Sequence, residues 1–297
     1  MNTKSDELAS VPSRAFGIMN LTDSIAFASR KIAQTRLHKI SEALRRYYPV
    51  KRGSTMIHNF DTDLKMNIDT ASYISNVIYW RGHHSAAVAK VLRKHLRSDM
   101  TFVDVGANLG ELTLLAAKRL VNGRVLAFEP DPQIFLQLSR NISINHLSGV
   151  ELFNIGLFDK TDSLPLYRKQ DINFGTINEG VPSLFSTGND PQEVRVQLRR
   201  FDDVARESGL DRLDVMKIDV EGAEMMVLRG AERFIKRYRP IIITELSETN
   251  FRRAGYTTRD LIGYLGSLEY DVQTLDDRST GGLQCDAMCT PRGHANR

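Results

Sequence analysis

Thr101-Phe102-Val103-Asp104-Val105-Gly106-Ala107-Asn108-Leu109-Gly110 reads as a short apolar strand running into a glycine turn, and a helical pattern starts directly at Glu111. Strand, turn and helix in that order form the first half of a βαβ unit. Gly106 and Gly110 leave no side chain between the backbone and a ligand pressed against it. The turn also aims the free amides of the helix start at that ligand.

Outward from this turn, strands and helices alternate. Apolar runs predict strands at 101–105, 123–128, 150–158, around 194–198, and at 213–220, 241–246 and 270–275. Helices are predicted at 111–120, 132–145, 202–208, 223–238 and 258–268. Such alternation gives an α/β doubly wound fold with a mostly parallel seven-stranded sheet. In that fold a ligand sits outside the carboxyl ends of the strands, where the strand order reverses.

The second strand ends in Phe128-Glu129-Pro130. A carboxylate there is placed to accept hydrogen bonds from both ribose hydroxyls of an adenosine cofactor, and it follows the glycine turn by about twenty residues, the usual separation. A dinucleotide pyrophosphate wants a second glycine where Asn108 stands. It would also be repelled by Asp104, which suits a cationic amine instead. S-adenosylmethionine has an amine, a sulfonium and no phosphate, so these residues favour it over NAD.

Three blocks in order resemble the FkbM-type methyltransferases: residues 102–110 with Asp104-Val105-Gly106-Ala107-Asn108, then Ala127-Phe128-Glu129-Pro130, then Lys217-Ile218-Asp219-Val220-Glu221-Gly222-Ala223-Glu224. Tyr79-Trp80-Arg81-Gly82, Phe201-Asp202-Asp203-Val204 and Leu228-Arg229-Gly230-Ala231-Glu232 extend the likeness from about residue 74 to 246. The resemblance implies a Rossmann-like class I methyltransferase domain. It implies that Asp104, Gly106, Asn108 and Gly110 hold the methionine part of S-adenosylmethionine, that Glu129 holds the ribose, and that Asn154 lies near the adenine. It further implies O-methylation of a hydroxyl on a sugar, glycan or secondary metabolite.

A hydroxyl is a poor nucleophile until its proton is taken by a base or a metal acidifies it. Asp219 and Glu221 close the fourth main strand at the ligand-facing edge and are the catalytic candidates, with Glu245 at the next strand end able to join them. Carboxylates there accept a proton or bind a divalent metal ion through oxygen. The plainer alternative is that Asp219 caps the following helix and that Glu221 and Glu224 favour its positive end. His83 and His84 are a further candidate base, against a structural role. The polar stretch 163–190 is expected to be an irregular loop covering the acceptor.

The remaining features bound the function. The net charge is +4 with 26% charged and 41% apolar residues, the balance of a soluble globular protein. Charges of both signs are mixed and no aromatic-basic stripe stacks bases, so nucleic acid is not an expected partner. Neither a signal peptide nor a membrane-spanning run is seen, which points to a cytoplasmic protein. The predicted organisation is an N-terminal extension over 1–73, a methyltransferase domain over 74–276 and a flexible tail over 277–297. Within the extension, Ile32, Leu37, Ile40, Leu44 and Tyr47 predict one basic amphipathic helix over 24–48, ended by Pro49. Its apolar stripe would pack on the main domain or on a second copy of the chain in a homo-oligomer. Cys285 and Cys289, with His294, read as free thiols in the tail rather than as a zinc site. The competing functions are an NAD-dependent oxidoreductase and a catalytically silent relative of the methyltransferases.

Overall fold

The computed structural model describes residues 21–33, 35, 38–47, 53–173, 176–186, 188, 192–275 and 284–293. The expectations for residues 1–20, for Pro49 and for His294 lie outside these. The centre is a seven-stranded sheet of β3 (Thr101–Val105), β4 (Arg124–Phe128), β5 (Val150–Phe153), β10 (Val215–Ile218), β11 (Ile241–Ser247), β12 (Tyr270–Thr274) and β13 (Gln284–Pro291). Its order is β12-β13-β11-β10-β3-β4-β5. All neighbours from β11 to β5 are parallel, and β13 runs antiparallel between β11 and β12. The strand order reverses between β3 and β10, so the ends of these two strands frame the ligand position of a doubly wound sheet.

Alternation along the strands builds two layers. Val103, Val105, Met216 and Ile218 face one side, where they join α7 (Phe201–Glu207), α8 (Glu224–Gly230), α9 (Glu232–Tyr238) and α11 (Thr258–Ser267). Phe102, Val125, Val215 and Ile243 face the other, against α4 (Ala86–His95) and α5 (Glu111–Arg119). α6 (Pro132–Ser143) begins on a well-formed cap: Asp131 accepts from the Gln133 and Ile134 amides and Pro132 opens the first turn.

Several expectations change. The number of sheet strands is seven as expected, but the membership differs. β9 (Gln192–Arg199) belongs to a second sheet, and its expected place is filled by β13 from the presumed tail. Cys289 is therefore a fully buried core residue, not a tail thiol. The expected strand 150–158 breaks at Asn154, where the chain leaves the central sheet and β6 (Gly156–Leu157) pairs with β9. The stretch read as an irregular loop is instead a hairpin, β7 (Asp162–Asn173) and β8 (Thr176–Ser183), in a sheet ordered β6-β9-β7-β8. Its ladder with β9 covers Asp162 to Arg168, so the polar side chains there decorate strands rather than a loop.

The single amphipathic helix is two, α1 (Leu21–Ala33) and α2 (His38–Tyr47). α1 buries Ala26, Ser29 and Arg30, whereas Ile40 and Tyr47 of the assumed stripe are exposed. The extension packs on the main domain through α3 (Tyr73–Arg81): Ser29 Oγ donates to the Trp80 carbonyl at 2.8 Å and to Ser41 Oγ at 2.8 Å. A hairpin of β1 (Ser54–Phe60) and β2 (Leu64–Asp69) follows, with Ile57, Phe60, Met66 and Ile68 buried against α3 and α6. Among the described residues no helix is long and apolar enough to cross a membrane.

The two strands β3 and β10 are held close at Gly106, whose φ is +75°. A Cβ there would stand 2.0 Å from the Asp219 carbonyl oxygen. Gly106→Ala is expected to destabilise the fold by about 2–4 kcal/mol, from the left-handed backbone and the overpacking together. Gly263, within α11 and with open space around its Cβ position, serves as control. Gly263→Ala should be neutral or stabilising by up to about 1 kcal/mol in the same denaturation experiment.

Candidate active site

A cavity of about 520 Å³ opens at the carboxyl ends of β3, β4, β10 and β11, lined by Asp104, Gly106, Asn108, Glu129, Lys217, Asp219, Glu221 and Glu245 among others. Its floor follows from strand register. Lys217 pairs beside Asp104 across β10 and β3, so both side chains leave the same face. Asp219 lies two residues beyond Lys217 on that face, and its amide donates to the Val105 carbonyl at 3.1 Å.

Asp104 is fully buried. Its Oδ2 accepts from Thr113 Oγ1 on α5 at 2.6 Å. Its Oδ1 has no hydrogen-bond partner, and the Lys217 ammonium stands 3.6 Å away. Burial pushes the Asp104 carboxyl above its ordinary range against the pull of Lys217 and Thr113. Lys217 is equally distant, 3.6 Å, from Asp219 Oδ2 and donates to the Gly106 carbonyl at 2.8 Å. Burial works against its charge, but Asp219 and Asp104 outweigh burial and hold the ammonium above the usual lysine value.

The glycine turn is held from below and from the side. The Gly106 and Ala107 amides donate to the Phe128 carbonyl at 3.0 and 2.9 Å. Asn108 takes a positive φ of 49°, and its amide donates to Glu129 Oε2 at 3.0 Å. Glu129 Oε1 accepts from the Asp131 amide at 2.9 Å. The two elements expected to hold a nucleoside are thus hydrogen-bonded to each other before any ligand arrives. Burial raises Glu129 to about 7, against the two amides that favour its ionised form. Gly110 also has a positive φ, and a Cβ there would meet Leu138 at 2.7 Å. It shapes the turn and admits α6 rather than facing the cavity.

Asn154 does not join the site. Its side chain donates to the Glu129 and Pro130 carbonyls at 2.9 and 3.1 Å, and it is exposed. It braces the loop that carries Glu129, and Ile155 and Gly156 line the cavity in its place. The reason is the break after β5, which turns the next residues inward.

Asp219, Glu221 and Glu245 do converge, with one carboxylate oxygen from each within 4.8 Å of the others. Glu221 adopts a φ of 54° and its Oε2 accepts from Asn250 Nδ2 at 2.9 Å. Glu245 hydrogen-bonds Gln284 of β13 through Oε1, while its buried Oε2 has no partner. Burial, reinforced by Asp219 and Glu221, raises Glu245 to about 9, so it carries a proton at neutral pH. Glu224 has the role of a cap: its buried carboxyl accepts from the Val220 and Gly222 amides at 3.1 and 3.0 Å. The two histidines separate. His83 is buried, with Nδ1 3.0 Å from Glu111 Oε1, whereas His84 lines the cavity. Glu111 also accepts from the His84 and Ser85 amides at 3.1 and 3.2 Å, so it fastens this connection to α5.

Residues 104–272 match the methyltransferase FkbM domain. The chain belongs to the FkbM methyltransferase family. Methyltransferase sdnD of Sordaria araneosa is 34% identical over 162 residues, 46% of this chain and 62% of that protein. The 2-O-methyltransferase NoeI of Sinorhizobium fredii is 24% identical, covering 60% of this chain and 75% of its own. The 31-O-demethyl-FK506 methyltransferase FkbM of Streptomyces tacrolimicus is 28% identical over 46% of this chain and 61% of its own. The chain thus spans about six tenths of the length of sdnD and of that FkbM protein. Among solved structures, methyltransferase FkbM from Methylobacillus flagellatus superposes with a TM-score of 0.45 and 16% identity, covering 88% of this chain and 60% of that one.

In this FkbM-family chain Lys217 is the site residue that sequence reasoning passed over. A lysine between Met216 and Ile218 in a buried strand was its signal, since charges are almost never fully buried unless paired.

Three buried acids, two in the cleft and Glu224 behind it, hold protons that an unfolded chain would release: Glu129 and Glu224 near 7 and Glu245 near 9. Their stabilising effect is complete below the ordinary glutamate value and is lost as pH rises through these values. The ligand-free protein should therefore melt at progressively lower temperature from about pH 5 to about pH 9, as read by calorimetry. A flat profile would show that these carboxyls are not perturbed. Glu129→Ala should weaken binding of S-adenosylhomocysteine by about 1–3 kcal/mol in a titration.

Proposed function

We propose that this protein is an S-adenosylmethionine-dependent O-methyltransferase acting on a hydroxyl of a sugar, glycan or secondary metabolite. The observation that carries the reading is the Asp104 carboxylate, buried beside a glycine turn on the cavity it shares with Glu129, with one oxygen that accepts no hydrogen bond and only the Lys217 ammonium 3.6 Å away. A buried carboxylate with hydrogen-bonding capacity to spare is matched by a cationic amine and repels a pyrophosphate. The donor set thus fits S-adenosylmethionine and argues against NAD. Asp104, Gly106 and Asn108 would hold its amino-acid end, and Glu129 would accept from its ribose hydroxyls. The cofactor supplies an electrophilic methyl group on a sulfonium.

The protein's own tasks are to place the acceptor oxygen in line and to remove its proton. Asp219 is the base in this reading. Its side chain is 33% exposed, enough to reach an acceptor, and the Lys217 ammonium stands 3.6 Å from its Oδ2. Glu221, fixed by Asn250, and Glu245, raised to about 9 by burial, form the far wall beside Asp219. NoeI and the Streptomyces FkbM protein, both O-methyltransferases by name, support oxygen as the acceptor atom.

The test is methyl transfer to a panel of hydroxylated acceptors. Asp219→Asn should lower kcat by about 10²- to 10⁴-fold. Affinity for S-adenosylhomocysteine should change by no more than about twofold, because the lost interaction serves the acceptor side. Full turnover in that variant would exclude Asp219 as the base. The three carboxylate oxygens also suit a hard divalent cation. A chelator is expected to leave turnover unchanged; loss restored by magnesium or manganese would assign the trio to metal binding instead.

A further inference from the structure

A second cavity, of about 580 Å³, opens where α1, the β1–β2 turn and the α3–α4 connection meet α4 and the last turn of α5. It shares no lining residue with the cleft at the strand ends. Its electrostatics are opposite. Arg30, Lys31, Arg93, Lys118 and Arg119 line it against the single carboxylate of Asp61, with His83 on the wall.

Asp61 is outnumbered. Arg93 reaches it at 2.6 Å, Arg119 at 3.0 Å and Lys118 at 3.9 Å. His83 Nε2 lies a further 3.9 Å from the same carboxylate. Lys118 is also shared with the exposed Asp63 of the turn. These cations hold Asp61 well below the ordinary carboxylate range, although burial opposes them.

Arg30 stands in a different condition. It is 9% exposed, and its two terminal nitrogens donate to the Tyr79 carbonyl at 2.5 Å and to Asn59 Oδ1 at 2.7 Å. Both acceptors are neutral, its Nε has no hydrogen-bond partner, and among the described residues it makes no ion pair. Asp23 of the same helix offsets its charge only over a distance, so the guanidinium is buried with no carboxylate in contact, which is costly. Burial accordingly pulls Arg30 down to about 10. The same turn of α1 carries Lys31, exposed and seated over the Phe27 ring at 4.6 Å.

We infer that this second cavity is a binding site for a phosphoryl group, taken as phosphate or pyrophosphate oxygens that complete the charge left open by Arg30 and the cations around Asp61. Three guanidinium forks on one cavity match tetrahedral oxyanions better than a single carboxylate. The surplus of cations calls for an anion of more than one charge. The cleft at the strand ends disfavours such a ligand, because Asp104, Glu111, Glu129, Asp219, Glu221 and Glu245 wall it. The group arrives either on a soluble phosphate or as the headgroup of an anionic lipid.

The test uses the full chain with inorganic pyrophosphate in low-salt calorimetry. Saturable binding that weakens steeply with added salt is expected. Arg30→Gln should reduce the affinity by about tenfold or more and Lys31→Gln by a few fold, as for the loss of charge-assisted hydrogen bonds and of a more distant charge. Lys31 is exposed, so its variant keeps the test alive if the Arg30 variant fails to fold. Excess S-adenosylhomocysteine should not displace the pyrophosphate. Absence of binding at millimolar pyrophosphate, equal affinity in the wild type and both variants, or displacement by the nucleoside would each overturn the site. Vesicles containing phosphatidate provide the second arm. Co-sedimentation that pyrophosphate reverses and Lys31→Gln weakens identifies a lipid headgroup, and pyrophosphate binding without co-sedimentation identifies a soluble phosphate.

Discussion

The structure turns on one buried ammonium. Lys217 stands 3.6 Å from both Asp104 and Asp219 and is hydrogen-bonded to the Gly106 carbonyl. These three residues come from the ends of β3 and β10, the two strands at which the sheet reverses its order. Two carboxylates brought so close in a dry setting would repel each other without a cation between them. Pairing rather than solvation therefore makes the strand ends compatible with burial, and it ties the glycine-turn side of the cleft to the Asp219 side at a common point. Gly106 is the steric side of the same constraint, since a side chain there would collide with the Asp219 backbone.

Around that pair the cleft keeps more acid than the fold itself requires. Glu129, Glu224 and Glu245 all carry raised pKa values, and burial is the first cause in each. Glu224 is repaid in structure, because it caps the turn before α8. Each Glu129 oxygen accepts one backbone amide, whereas one Glu245 oxygen is left without a partner. Such locally unfavourable arrangements are typical of sites whose remaining partners arrive with a ligand.

The central fold was legible because its signals are short-ranged. The β3–turn–α5 unit, the Glu129 strand end and the Asp219 strand end each carry their own pattern, and the structure brings Asp104, Glu129, Asp219, Glu221 and Glu245 to one cavity. Long-range pairing was not legible. Nothing in residues 284–291 says that they lie between β11 and β12, and nothing in 150–158 says that the chain changes sheets at Asn154. The β1–β2 hairpin was missed for a chemical reason. Its turn, Asp61-Thr62-Asp63, puts positive φ at Asp61 and Thr62 without glycine or asparagine. Lys118 holds that turn from α5 through the Asp61 carbonyl and Thr62 Oγ1, a contact no local pattern encodes. The α1–α2 pair misled because periodicity counted Ile40 and Tyr47 as core, while the burial is carried by Ala26 and Ser29, small residues that let α1 approach α3.

The position of β13 bears on how such a sheet is assembled during synthesis. β12 touches the sheet only through β13, although β13 is made later. Until residues 284–291 leave the ribosome, β11 presents an open edge and β12 has no ladder to join. An unpaired edge beside an apolar core is the species most exposed to association with other nascent chains. β13 thus acts as a keystone, closing the edge of β11 and giving β12 its place in the sheet.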